Sequence, residues 1–136
     1  MLSMTTYPKD YIDGCQAKVD RQVAAYKRLR AAAGDDAAAT EFDHVFFNNM
    51  VLVLDAYFVH RARALELKDG NPLNEVRVMC NSMMLNDDVM TKDKSIKLSA
   101  EQSVCGIAFG DRIALDERTF GRLSVAFFDE MRQKYL

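Results

Sequence analysis

The sequence predicts an all-α fold, an antiparallel four-helix bundle with one irregular segment at about 87–115. Three observations predict it. Apolar residues recur at three- and four-residue spacing over four stretches. Polar connectors rich in Gly, Asp, Asn and Pro punctuate those stretches. A chain of 136 residues with 49% hydrophobic content suits a single domain, 1–136, whose core needs no metal or disulfide to hold it.

The first helix is expected over residues 8–33. Tyr11, Ile12, Cys15, Val19, Val23, Tyr26 and Leu29 fall on one face, and Lys18, Asp20, Arg21, Lys27, Arg28 and Arg30 on the other. Pro8 suits a first turn, where its missing N–H has no helical partner. The stretch GDDAAAT breaks the pattern at Gly34. Thr40 then opens the second helix, with Thr40-x-x-Asp43 resembling a capping box. The pattern carries that helix to about Lys68, where Asp69-Gly70-Asn71-Pro72 makes a stop. Its length is then about 40 Å, and His60, Arg61, Arg63 and Lys68 crowd the C-terminal end, where cations are favoured.

Asn71 caps the third helix with Pro72 at its first position. Leu73, Val76, Met79, Cys80, Met83 and Met84 mark its buried face, and it fades at Asn86-Asp87-Asp88. In the irregular segment, IAFGDRIAL reads either as a small β-hairpin about Gly110-Asp111 or as an extended loop packed on the bundle. Ser99-x-x-Gln102 marks one helical turn. Asp116 caps the last helix, whose apolar positions are Phe120, Leu123, Phe127, Phe128 and Met131.

Composition narrows the functions. A net charge of −2 provides no global attraction to nucleic acid or to an anionic membrane. The basic face of the first helix has no aromatic platform and reads as solvated. No signal peptide is visible, and the longest apolar run, Met50–Leu54, is far shorter than a membrane span. Cys15, Cys80 and Cys105 are odd in number and widely spaced, which reads as reduced thiols in a cytoplasmic protein. The nucleotide-binding glycine motifs, GxSxG and HExxH are all absent.

The second helix raises the functional question, because NNMVLVLDAYFVHRAR sets Asn48, Asn49, Asp55 and His60 among apolar residues. On a wheel, His44, Asn48, Asp55 and Glu66 fall within about 40° of one another, while Asn49 and His60 lie on a second line. Val51 and Val59 flank Asp55 at i−4 and i+4 and offer it nothing, so its partner must lie beyond its own helix. Another helix, another subunit, water or a ligand must supply it, and in an antiparallel hairpin of the first two helices Lys18, Arg21 and Gln22 are within reach.

Three readings follow. In the first, the protein is a cytoplasmic homodimer without cofactor, with a structural, regulatory or ligand-binding role. Its interface includes the second helix, which is apolar nearly all round. Asp55 is then met by a buried Lys, Arg or amide. In the second, His44, Asn48 and Asp55 form an enzyme or metal site. Glu41-Phe42-Asp43-His44 is formally an ExxH, the spacing that ferritin-like di-iron proteins use, and Glu41, His44 and Asp55 are the candidate ligands. The second ExxH such proteins need is missing, since Tyr57 stands three before His60. In the third, Arg61, Arg63 and Arg77 hold a small anionic ligand at the 60–77 turn, beside the open start of the third helix.

Overall fold

A computed structural model describes residues 3–136. Its four helices are α1 (Lys9–Ala33), α2 (Ala37–Tyr57), α3 (Pro72–Leu85) and α4 (Glu117–Tyr135), with a short 3-10 turn at Arg63–Glu66 between α2 and α3. Among the described residues there are only isolated β-bridges and no sheet.

Side-chain contacts give the helix directions. Tyr26 of α1 packs on Phe42, Phe46 and Phe47 near the start of α2, and the Tyr11 hydroxyl donates to the Tyr57 carbonyl at its end. Arg132 of α4 reaches Asp13 of α1, and Lys27 reaches Glu117. Phe47 meets Phe120 while Phe58 meets Phe127 and Phe128, so α2 and α4 run parallel across the bundle diagonal. Cys80 of α3 meets the Val51 carbonyl, and the end of α3, Met83 and Met84, lies beside Glu41 to Leu52 of α2. Sequential neighbours are therefore antiparallel, and α2 and α4 each pack on the other three helices. The aromatic residues of this diagonal form the centre of one core, in which Phe47, Phe58, Phe120, Phe127 and Phe128 are 0–1% exposed.

The third and fourth helices start where the sequence places them. Asn71 Oδ1 accepts from the Leu73 and Asn74 amides at 3.0 and 3.1 Å, and Asp116 Oδ1 from Thr119 at 2.8 Å. The second helix departs from expectation at both ends. It begins at Ala37, because Asp36 precedes Thr40 and takes the cap, accepting from Ala39 at 2.9 Å. The alanines that follow propagate the helix without side-chain entropy cost. Asp43 meets Tyr26 and Arg30 of α1 instead of closing a capping box.

The larger correction is at the other end. The helix stops at Tyr57, not near Lys68. Beyond it the backbone finds other partners: Met4 donates to the His60 carbonyl and Ala62 to the Met4 carbonyl, both at 2.8 Å. The Tyr135 hydroxyl closes on the Ala62 carbonyl at 2.6 Å. Backbone groups that would have extended the helix are thus satisfied by the N-terminal segment and the end of α4, which local periodicity does not register. The cations at 60–68 consequently do not sit on a helix C-terminus.

The irregular segment is the extended loop and not the hairpin. Apart from one turn bond, Asp111 to the Ala108 carbonyl at 3.1 Å, residues 110–113 pair with 88–90: Met90 donates to Asp111, Gly110 to Met90 and Ile113 to Asp88, at 2.7–2.8 Å. Burial of Ile113 and Leu115, 1% and 2% exposed, draws this stretch onto the bundle. Asp87 and Asp88 take left-handed φ values of 51° and 63° to turn the chain out of α3. Ser99 to Ser103 forms the single expected turn, closed through the Ser99 carbonyl. Met84, expected on the buried face of α3, is 69% exposed, and Leu29 of α1 is 55% exposed.

Candidate functional site

The polar residues singled out in the sequence separate into two places. His44 and Asn48 lie one helical turn apart on α2 and both turn to the backbone of the extended loop. Asn48 Nδ2 donates to the Ile113 carbonyl at 2.8 Å, and its Oδ1 accepts from the Leu115 amide at 3.1 Å. One side-chain amide thereby imitates a strand partner. The imidazole Nδ1 of His44 lies 2.9 Å from the Leu115 carbonyl. A carbonyl only accepts, so Nδ1 carries the proton, and in the neutral ring Nε2 is an unprotonated acceptor.

This clasp forms one wall of a groove of about 480 Å³ between α2, the end of α3 and residues 112–114. Val45, Leu52, Met83 and Met84 supply its apolar surface, and Glu41, Asn49, Asp88 and Arg112 its polar rim. Asp55 does not line it. Glu41, His44 and Asp55 are therefore not brought together. Among the described residues, no three His, Cys, Asp or Glu side chains are placed to hold a metal ion.

Asp55 belongs to the second place. Its partner is Arg61, with Nη2 at 2.9 Å from Oδ1, and not Lys18, Arg21 or Gln22. Gln22 instead approaches the Tyr57 hydroxyl at 3.4 Å. On an unbroken helix, residues six apart project about 120° from one another and share no face, so this pair exists only because α2 ends at Tyr57. Arg61, 3% exposed, also donates to Glu66 and to the Phe58 carbonyl, and its guanidinium lies 5.9 Å from the centre of the Phe127 ring. Arg77 forks onto both oxygens of Glu66, at 3.0 and 2.7 Å, and Arg63 stands at 3.9 Å.

Glu66 is fully buried. Burial alone would raise its pKa, but the Arg77 hydrogen bonds and the charges of Arg61 and Arg77 outweigh it, and the carboxyl is held below its ordinary range. The same contact holds Arg77 above its ordinary value against the opposing effect of burial. The buried Glu66 and Arg61 are thus matched by the partly exposed Arg77 and Asp55, with Arg63 at the edge of the set. Asn71 and Asn74 fasten the turn beneath them, donating to the Glu66 and Asp69 carbonyls at 2.6 and 2.8 Å. Glu75 is equally buried, and its two oxygens receive the Val104 and Cys105 amides at 2.8 and 2.9 Å.

Of the three arginines expected to bind an anion, Arg61 and Arg77 are thus engaged by a carboxylate of the same chain. None of the thiols is activated. Burial raises all three, that of Cys80 to about 12, so the thiolate is scarce at neutral pH. Sequence reasoning missed Asp88 and Arg112 as groove residues, because they come from a loop whose path is set by long-range packing. Comparison of the chain with protein-family models, with curated proteins and with solved structures finds no match.

Proposed function

We propose that this protein is a cytoplasmic homodimer of non-catalytic helical bundles, with a structural or regulatory role, that self-associates through the α2 groove. The observation that carries the reading is the division of labour on α2. Its inward and loop-facing polar groups are satisfied within the chain, while Val45, 54% exposed, and Leu52 face outward in the same groove as Met84. Paired buried polars act as architecture, and an unpartnered apolar stripe acts as an interface.

A second copy is the occupant best suited to this groove. Its rim carries Glu41 and Asp88 together with Arg112, so a two-fold arrangement sets the cation of each copy against the carboxylates of the other. Asn49, exposed midway along the stripe, lies where two antiparallel copies of α2 would place amide against amide, a register-setting contact. Reduced thiols and the absence, among the described residues, of a helix long and apolar enough to cross a membrane are in keeping with a cytoplasmic setting.

Light scattering on a sizing column tests the reading. The expected mass is twice that of the chain, falling to one chain for Val45→Glu combined with Met84→Glu, with the melting temperature of the folded chain retained because both side chains are exposed. A wild-type monomer at high concentration, or a dimer indifferent to both substitutions, overturns it.

A further inference from the structure

The anion-binding chemistry that the sequence suggested for the 60–77 turn has a better-placed counterpart on the neighbouring loop. Residues 92–102 meet that turn at Lys97, whose N donates to the Lys68 carbonyl at 2.7 Å and whose backbone forms an isolated parallel β-bridge with that of Asp69. Ile96 and Leu98, 3% and 8% exposed, anchor the loop in the core. Gly70 lets the two stretches close, since a Cβ there would stand 3.0 Å from the Lys97 carbonyl oxygen and 3.3 Å from Leu98. The half-buried Asp93 accepts from the amide of Ser95 at 2.8 Å and from its hydroxyl at 2.7 Å, and it does not line the pocket that Lys92, Lys94 and Lys97 surround.

Around that pocket the outward side chains of this loop are cationic, while the exposed Glu101 stands outside its lining. Lys92, Lys94 and Lys97 surround a pocket of about 480 Å³ together with Ser99 and Gln102, and no acidic side chain lines it. None of the three lysines takes part in an ion pair among the described residues. This is the reverse of the Glu66 cluster a few residues away, where the arginines are already neutralised.

We infer that this pocket binds a small, soluble, multiply charged phosphate compound. The volume falls in the range of small-molecule sites. Three ammonium groups act as point charges that suit a phosphate, whereas a flat carboxylate is better met by the planar fork of an arginine. Ser99 and Gln102 add neutral hydrogen-bonding groups. The inference does not depend on dimerisation through α2, which uses other residues.

The test is calorimetric titration of the full chain with inorganic pyrophosphate at fixed ionic strength. Saturable binding is expected, weakened about tenfold or more by Lys92→Gln, Lys94→Gln and Lys97→Gln together. The same number of charges removed from the α1 surface, Lys18→Gln, Arg21→Gln and Arg28→Gln, should leave binding unchanged. Gly70→Ala keeps every lysine but displaces the loop, and it should weaken binding while the chain stays folded by circular dichroism. Equal losses in the loop and α1 variants would reduce the effect to general charge and overturn the site. Binding to phosphoinositide vesicles without binding of pyrophosphate would overturn the soluble ligand class.

Discussion

Two regions of this protein are built from the same kinds of side chain and come to opposite ends. At the junction after α2, Asp55, Arg61, Glu66 and Arg77 are packed into a site where Glu66 is fully buried, and each charge faces an opposite one. In the α2 groove, Glu41, Asp88 and Arg112 stand at a solvent-exposed rim, in no ion pair among the described residues. The difference is enclosure. In the interior an unanswered charge is too costly to persist, so buried charges arrive in matched sets. At the rim water answers them, and they remain available to a partner. A polar residue within an apolar run therefore signals a site only where its hydrogen bonds are left over after folding.

The sharpest way to break the comparison is to unbalance the buried set. Glu66→Gln leaves Arg61 and Arg77 sharing a neutral amide, and a loss of about 3–5 kcal/mol is expected in denaturant unfolding. The pH dependence follows from the same residue. Its folded pKa lies below the ordinary carboxyl value of 4.5, so its contribution is full above that value. The contribution is then lost as pH falls through the lower folded value. Stability of the wild type should decline on acidification from about pH 5 toward pH 3 more steeply than that of Glu66→Gln. Parallel acid profiles would show that the cluster does not carry the charge assigned to it.

A smaller effect is expected at the clasp. Asn48→Ala strips the Ile113 carbonyl and Leu115 amide of their partner, at a cost of about 1–3 kcal/mol. It should also raise amide exchange over residues 111–115 ahead of the helices. Uniform exchange across the chain would mean that the loop is held by Ile113 and Leu115 alone. Asp55→Asn preserves an acceptor for Arg61 at a position whose carboxylate is 27% exposed, so about 1 kcal/mol or less is expected. Smallest is the effect of Val45→Glu on the stability of the folded monomer, which should be near zero while association is lost. A large destabilisation there would place Val45 in the architecture and erase the contrast between the two regions.

Chelator sharpens the second reading of His44. With Nδ1 donating to Leu115 and Asp55 bound to Arg61, the melting temperature should not move in the presence of chelator. A drop would require ligands other than the Glu41, His44 and Asp55 set.

How much was legible varies residue by residue. That His44 and Asn48 share a face follows from their spacing, and that Asp55 needs a partner outside α2 follows from its valine neighbours. Both facts are local. The identity of each partner is not: Ile113 and Leu115 lie 65 or more residues along the chain. Arg61 becomes available only through a helix end that the apolar pattern runs straight past.

Local signals along the chain suffice for the all-α class, the caps at Asn71 and Asp116, the breaks at Gly34 and Asn71-Pro72, and the apolar faces that build the core. These depend on periodicity and on side chains that bond within their own turn, and so they survive without knowledge of the rest of the chain. Where α2 stops, which backbone partner residues 110–113 take, and which polar residues are used up depend on the folded chain as a whole. Each of those outcomes is a competition between a local hydrogen bond and a distant one, here supplied by Met4, Tyr135, Asp88 and the Glu66 carboxylate, and the winner is set by packing that brings the distant group near.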